Sequence, residues 1–394
     1  MSAQNPEFDV IIYGATGYTG RLVAEYMAEQ YGVSAKAPNW AMAGRNLDKL
    51  EEVRDLIGAP KDTPLVVADS DDPASIDMMA SRTKVVLTTV GPYQLYGDEV
   101  VAACVRHGTH YVDLCGEPGW MRAMIDEHQK AAEESAAQIC FSCGFDSIPF
   151  DLGVLMLQQE MSKRFGKPAV RVRGRVRAME GTFSGGTAAS LGATMKALAK
   201  NPGLVKILGS SFGLTPGFKG PDQPNMLIPK YDKTIDSWVA PFIMAPINTK
   251  NVHRTNFLLD FPFGEDFQYD EMVVTSPGDL GKQAAEMVAK ANPFGGSDAP
   301  KPGEGPTKEQ RDNGHYDIVF IGETADGETA SLSVKGDRDP GYGSTSKMIA
   351  EAALCLAQDP VSKGGGLWTP GALMGKKLVE RLEDKAGLSF VAES

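Results

Sequence analysis

The sequence predicts an α/β protein: an N-terminal Rossmann-type doubly wound parallel sheet joined to an α+β second domain with a largely antiparallel sheet. Three observations predict it. Strand and helix signals alternate through the first 150 residues. A glycine loop joins the first strand to the first helix. The middle of the chain then changes to period-two patterning with a hairpin signal. At 394 residues the chain is also too long for one ordinary core.

The elements follow in order. Residues 10–13 form a short β-rich run, and 21–31 carry helical spacing of apolar residues. Strands at 40–44, 65–68, 85–90, 111–115 and 139–142 alternate with helices at 47–57, 73–81, 98–106 and 120–136. Asp71 or Asp72 is placed to cap the helix at 73–81. Beyond residue 150, 170–179 alternates strictly, 187–200 is helical and 252–260 reads as a strand. Residues 316–322 and 328–336 form a hairpin around Asp326-Gly327. The stretch 344–357 is a strong helix, whereas 201–250 is rich in Gly and Pro, and 295–314 is predicted as a loop.

Composition excludes several function classes. A net charge of −12 opposes nucleic-acid binding, which needs clustered Lys and Arg. It is also a poor match for anionic membranes. The five cysteines (Cys104, Cys115, Cys140, Cys143 and Cys355) are too sparse for a disulfide framework. No stretch reaches the roughly 18 apolar residues of a membrane span. The polar residues before Val10 leave no room for a signal peptide, so a cytoplasmic location is expected. Peripheral contact with a membrane is kept as a variant of that expectation.

Gly14-Ala15-Thr16-Gly17-Tyr18-Thr19-Gly20 lies between a strand and a helix. Gly14 lets the chain turn off the strand, Gly17 lets backbone approach a pyrophosphate, and Gly20 lets helix and strand pack closely. The positive end of the helix then faces the phosphates. At the end of the second strand an NAD binder places Asp or Glu, but here the chain reads Arg45-Asn46. Arg45 suits a 2′-phosphate, so the expected cofactor is NADP(H). Asp69 ends the third strand and is a further contact candidate or a helix cap. Gly91-Pro92 ends the fourth, on the nicotinamide side.

The segments GATGYTGRLVAEY, AGRNLDKL, TTVGPYQLYG, YVDLCGE and CGFDSIPFDLG together resemble the saccharopine dehydrogenase-like oxidoreductases. Within them the chain is most similar to the trans-acting enoyl reductases of bacterial lipid and polyketide assembly. GYGSTSKMIAEAALCLA and GGGLWTPGALMG extend the resemblance over nearly the whole chain. It implies an NADP-binding domain at 1–150, an α+β substrate and dimerisation domain at 151–340, and a helical segment at 341–394 returning to the first domain. It also implies reduction of a C=C or C=N bond.

Hydride chemistry leaves the protein to orient the substrate and supply a proton. No Tyr-x-x-x-Lys pair accompanies the sheet. Tyr93 and Tyr96 follow the fourth strand, Asp113, Cys115 and Glu117 end the fifth, and Asp146 lies where one domain hands over to the other. Tyr93, Glu117 and Asp146 are the catalytic candidates. Packing beneath the loop is the alternative for Tyr93, and helix capping the alternative for Glu117 and Asp146. Cys140-x-x-Cys143 lacks the second pair zinc needs, and the five histidines lack ligand spacing, so no metal is expected. Arg171, Arg173, Arg175 and Arg177 share one strand face, either paired to acids or docking an anionic carrier. The apolar segments 203–218 and 238–247 are read as core or dimer interface, or else as an acyl channel or membrane-touching flap. The expected function is NADPH-dependent reduction of a C=C bond in an acyl or polyketide-type lipid intermediate, small or carrier-bound. The alternatives are a saccharopine-type imine or amino-acid reductase and a non-catalytic, lipid-associated NADP-binding protein.

Overall fold

The computed structural model describes residues 6–32, 37–181, 185–291 and 305–393. The chain begins β1 (Phe8–Tyr13), α1 (Tyr18–Tyr31), β2 (Trp40–Gly44), α2 (Leu47–Leu56), β3 (Leu65–Val67), α3 (Pro73–Ser81), β4 (Thr83–Thr88), α4 (Tyr93–Tyr96), α5 (Asp98–His107), β5 (His110–Val112), α6 (Pro118–Ser135) and β6 (Gln138–Cys140). These strands pair in parallel in the order β6-β5-β4-β1-β2-β3, so that the order of addition switches sides at β1. The strands are apolar on both faces because helices cover both. Val10, Ile12, Trp40 and Met42 pack with Val23 and Met27 of α1. Their neighbours Ile11, Tyr13, Ala41 and Ala43 pack with Ile76 of α3 and Val101 of α5. Asp72 caps α3 through Ala74 N–H, as the sequence predicts.

The second half runs α7 (Ile148–Phe165), β7 (Arg171–Glu180), α8 (Gly185–Lys200), α9 (Leu204–Gly209), β8 (Lys230–Asp232), β9 (Ser237–Pro241), α10 (Ala245–Leu258), β10 (Gln268–Val274), α11 (Gly278–Lys290), α12 (Lys308–Asn313), β11 (His315–Glu323) and β12 (Thr329–Gly336). A π-helical turn at Pro340–Ser344 leads into α13 (Thr345–Gln358), followed by β13 (Gly366–Trp368), α14 (Pro370–Leu373), α15 (Lys376–Lys385) and β14 (Leu388–Glu393). The second sheet has the order β14-β12-β11-β7-β10-β9-β8 and is antiparallel except between β7 and β10. The fold is therefore two-domain α/β, with one parallel and one largely antiparallel sheet. Phe150 and Leu157 of α7 join Val172, Val176, Ile318 and Phe320 of the second sheet in a core continuous with one face of the first.

Three expectations change. Residues 252–260 are not a strand: they belong largely to α10, whose Asn248, Lys250, Asn251, Arg254 and Thr255 are buried. These side chains find some of their partners inside, for example Asn248 Nδ2 on Glu271 and Arg254 on the carbonyls of Leu214 and Leu367, while Asn248 Oδ1, Asn251 Oδ1 and Arg254 Nε have none among the described residues. A helix buried on polar groups has no hydrophobic period to read. The loop expected at 295–314 contains α12, closed by a Thr307/Gln310 capping box; residues 295–304 lie outside the described residues. The stretch 341–394 is not wholly helical. α13 packs on β1, β4 and α1, β13 extends the parallel sheet beside β6, and β14 closes the edge of the second sheet.

The arginines of β7 are spent within the protein. Arg171 pairs with Asp270, Arg173 with Glu323, Arg175 with Asp232 (2.7 Å) and Asp270 (3.3 Å), and Arg177 with Asp317 and Glu393. Burial alone would raise the Asp270 pKa, but Arg175, Arg171 and Lys230 outweigh it and hold the carboxyl below its usual range. The face is paired, yet it is not simply solvated, because Arg175 is only 1% exposed. Breaking a buried pair costs far more than breaking an exposed one. Arg175→Ala is expected to lower unfolding free energy by about 3–5 kcal/mol. Arg177→Ala, at a half-exposed pair, is expected to cost about 1 kcal/mol or less. Chemical denaturation of the two variants checks the contrast.

Candidate active site

The glycine loop takes the shape its spacing demands. Gly14 leaves β1 at φ +92°, and a Cβ on Gly20 would lie 2.1 Å from the Gly14 carbonyl oxygen. Only glycine allows that approach of helix to strand. The N–H groups of Gly14 and Ala15 are used by the Ala43 carbonyl. The unpaired N–H groups of the first turn of α1, with its positive dipole end, remain for an anion. Thr19 is the loop residue that reaches the cavity described below. Tyr18 is already engaged: its hydroxyl donates to the Pro306 carbonyl and accepts from Arg311 Nη1 (2.9 Å), and its ring meets Tyr342 edge-on. The second half of the chain thus closes over the phosphate end of the loop.

Arg45 follows β2, is exposed, and has no ion pair among the described residues. It and Asp69 both lie close enough to the Tyr13 hydroxyl to influence its ionisation, so the ends of β2 and β3 converge there. Asn46 is committed locally, its Oδ1 capping α2 through Lys49 N–H (2.9 Å). Asp69 accepts from Asp71 N–H in the turn before α3. The pattern fits NADP(H): a glycine cradle that a Cβ would fill, a helix N-terminus, and an uncommitted guanidinium at the end of β2.

Behind the ends of β4, β5 and β6 lie two buried carboxylates. Asp113 accepts from the N–H groups of Cys115 (3.0 Å) and Ser142 (2.8 Å) and from the Tyr111 hydroxyl (2.9 Å). Burial still pushes its pKa up to about 7. Glu117 precedes α6 but does not cap it. Its Oε1 accepts from Tyr93 N–H (2.9 Å) and Ser190 Oγ (2.8 Å); its Oε2 accepts from Gln94 N–H (3.0 Å) and Gln94 Nε2 (2.9 Å). Glu117 therefore caps α4, a different helix from the one its position in the sequence implies. Gly91-Pro92 is a cis peptide leading into α4. Tyr93 packs its ring against Trp120, donates its hydroxyl to the Thr88 carbonyl (3.3 Å) and accepts from Leu114 N–H (3.0 Å). Burial, then the nearby Asp113 and Cys115, push the phenol well above its usual pKa. The Tyr93 hydroxyl and both Glu117 oxygens are thus engaged by the protein itself.

A cavity of about 430 Å³ opens where the two sheets meet. Thr89, Gly91, Gly116 and Ser142 form its floor at the C-terminal ends of the parallel strands, the side where α/β sheets bind ligands. Met179, Leu208, Phe242, Met244 and Ile247 are among the residues closing the opposite walls. Asp146 opens onto this cavity and otherwise has protein around it. Its carboxyl has no hydrogen-bond partner among the described residues, and burial pushes its pKa up to about 7. Lys250 of α10 also lines the cavity. Burial brings it down to about 8, and it donates to the carbonyls of Leu208 (2.9 Å) and Pro246 (2.8 Å). Lys250 was not among the sequence candidates. Its only signal was a lysine inside a polar run, on a stretch read partly as strand. Cys140 and Cys143 are free buried thiols with sulfurs 3.6 Å apart, as core cysteines would be.

Comparison with known proteins supports the same assignment. Residues 10–139 match the family model for the saccharopine dehydrogenase NADP-binding domain. The chain is 37% identical to a putative trans-acting enoyl reductase of Mycobacterium tuberculosis, with 99% of this chain and 98% of that protein covered. It is 33% identical to a trans-acting enoyl reductase of Mycobacterium ulcerans, with 97% of each covered. Among solved structures, saccharopine dehydrogenase (L-Glu forming) of Saccharomyces cerevisiae shares the fold, at TM-score 0.55 and 14% identity over 98% of this chain and all of that one. The cofactor is NADP(H).

Two outcomes follow from this geometry. Arg45→Ala should weaken NADPH binding about 10- to 100-fold, the worth of charge-assisted bonds to a phosphate, and leave NADH binding unchanged. Fluorescence titration with both nucleotides checks it. Tyr93→Phe should keep turnover within about threefold while lowering stability by about 1 kcal/mol, the cost of a lost buried hydrogen bond. Turnover and unfolding measurements on that variant check it.

Proposed function

Because this chain belongs to the family of the trans-acting enoyl reductases, we propose that its inter-domain cavity reduces a carbon–carbon double bond conjugated to the carbonyl of an acyl or polyketide-type chain. The protein is an NADP-dependent oxidoreductase; the proposal concerns its substrate and its proton donor. The observation that carries the proposal is the cavity wall. Among the described residues lining it, Lys250 is the sole cation and Asp146 the sole carboxyl; most of the remaining wall is apolar. A saccharopine-type substrate carries several carboxylates and would need convergent Arg and Lys. The burial cost of unpaired carboxylates makes this wall hostile to it. A greasy acyl chain has no such cost.

When bound, NADPH supplies the hydride to the β-carbon of the substrate. Asp146 then acts as the general acid at the α-carbon. Its pKa of about 7, set by burial, keeps about half of it protonated at neutral pH, which suits proton delivery. The fixed floor, held by Glu117 and Asp113, positions Gly91 and Gly116 beneath the reacting carbons. Tyr93 and Glu117 are positioning residues in this account. Thr19, Gly14, Gly17 and Gly20 with Arg45 orient the cofactor; Ala15, Thr16 and Tyr18 complete the loop, and Asn46, Asp69 and Pro92 hold the adjoining turns.

The test is Asp146→Asn in an assay of NADPH oxidation with an enoyl thioester. Turnover is expected to fall at least about 100-fold with NADPH affinity unchanged. In the unmutated protein, activity should decline as pH rises through about 7, because the proton donor is the neutral carboxyl. Stability gives a second readout with a fixed sign. A carboxyl whose pKa is raised on folding from 3.8 to about 7 costs the folded state nothing below 3.8, a growing amount as pH rises between the two values, and its full cost above about 7. Asp146→Asn should therefore raise the melting temperature at pH 8 relative to its effect at pH 5. Normal turnover in Asp146→Asn would remove it as the acid.

A further inference from the structure

Lys250 is a buried ammonium with an incomplete set of partners. It is 3% exposed and lies on the cavity wall. Both of its hydrogen bonds go to main-chain carbonyls, one closing α9 at Leu208 and one on its own helix at Pro246. Among the described residues it has no carboxylate within ion-pair distance. An ammonium has three N–H groups, so one remains uncommitted. A buried cation without a counter-charge is costly; Arg254 on the same helix shares that lack and is turned to main-chain carbonyls away from the cavity, whereas Lys250 lines it.

Its neighbour ties it to the proposed acid. Asn251, the next residue on α10, donates to Ser147 Oγ (2.5 Å), and Ser147 in turn donates to the Asp146 carbonyl. α10 and the turn before α7 are thus joined beside the two ionisable side chains on the cavity, Lys250 and Asp146. The other titratable groups of α10, His253 and Arg254, are not among the residues lining the cavity: burial holds the His253 pKa down to about 3, and Arg254 is turned to the carbonyls of Leu214 and Leu367.

We propose that Lys250 is a catalytic residue that binds the substrate's carbonyl oxygen, and that the site therefore takes an α,β-unsaturated carbonyl compound, oriented with that oxygen on the Lys250 ammonium. The inference rests on reading the cavity as an acyl site. The C=C π bond breaks as hydride from NADPH bonds to the β-carbon, and its electrons move toward the carbonyl oxygen. The Lys250 N–H stabilises the developing negative charge there without giving up its proton. The proton from Asp146 then bonds to the α-carbon and restores the carbonyl. NADP⁺, the saturated acyl compound and an Asp146 carboxylate remain, and the carboxylate regains a proton from solvent.

The experiment uses the full chain loaded with NADP⁺ and two probes, the octanoyl and trans-2-octenoyl thioesters of N-acetylcysteamine. Calorimetry gives affinity for the saturated probe, which binds without reacting, and NADPH oxidation gives turnover of the unsaturated one. Lys250→Met removes the donor; Lys250→Gln keeps an uncharged donor for the α9 carbonyl and guards against simple misfolding. In both, NADPH affinity and melting behaviour are expected to stay close to the unmutated protein. Affinity for the octanoyl thioester should fall at least about 10-fold, and kcat about 100-fold or more, the range for losing one oxyanion donor. A lysine that only closed α9 would alter melting and leave both thioester readouts alone. Unchanged thioester affinity and kcat in Lys250→Gln would overturn the inference and leave the proposed reaction standing. Lys250-dependent octanoyl binding with no turnover of the octenoyl probe would overturn the proposed reaction and leave the carbonyl site standing. No binding of either probe to the unmutated protein would overturn both.

Discussion

The floor of the cavity depends on one buried carboxylate. Glu117 takes four hydrogen bonds, three from the Tyr93-Gln94 turn after β4 and one from Ser190 of α8. The first three fix the loop that follows the central strand. The fourth links that loop to the second domain. A carboxylate saturated in this way is a poor proton shuttle and a good anchor, since freeing either oxygen would strand donors in a buried site. Asp113 does the same for the turns after β5 and β6. The ends of three parallel strands are thereby held rigid where hydride transfer needs fixed geometry.

This division of labour separates carboxylates that hold from the one proposed as the acid. Asp151, like Asp113, is buried and raised to about 7, but Thr255 and the Gly371 N–H use its oxygens to bind α10 and α14 to α7. Asp146 has the same raised pKa without the partners. Its lack of partners and its place on the cavity, rather than its pKa, set it apart. The same contrast holds among the cations. The arginines of β7 are neutralised by acids on neighbouring strands, which removes the cations that docking of an anionic carrier would use, whereas Lys250 meets only carbonyls.

The first domain was largely legible in the sequence because its rules are local. Glycine at 14, 17 and 20 follows from backbone sterics, and continuous apolar strands follow from helices on both faces. Strand ends moved by only a few residues, for example residues 85–90 against Thr83–Thr88. β13 and β14 were not legible: one is three residues long, and both depend on distant partners. α10 was misread because its burial is polar and its satisfaction comes from other elements. In the site, position singled out Tyr93 and Glu117 after strand ends and Asp146 at the domain hand-over, but the surroundings of Tyr93 and Glu117 are set by hydrogen bonds spanning 5 to 73 residues, which no local pattern reveals. Lys250 was not a sequence candidate because it lies on that same helix.

The central claim is that a largely apolar wall, whose described residues include one acid and one cation, selects a neutral unsaturated acyl group over a polycarboxylate imine. The most direct measurement compares kcat/KM, with saturating NADPH, for a trans-2-enoyl thioester and for an imine formed between a dicarboxylic amino acid and an amino-acid semialdehyde. The account predicts a preference of at least about 100-fold for the thioester, because the imine would bury carboxylates that the wall leaves unpaired. Equal rates, or preference for the imine, would contradict it.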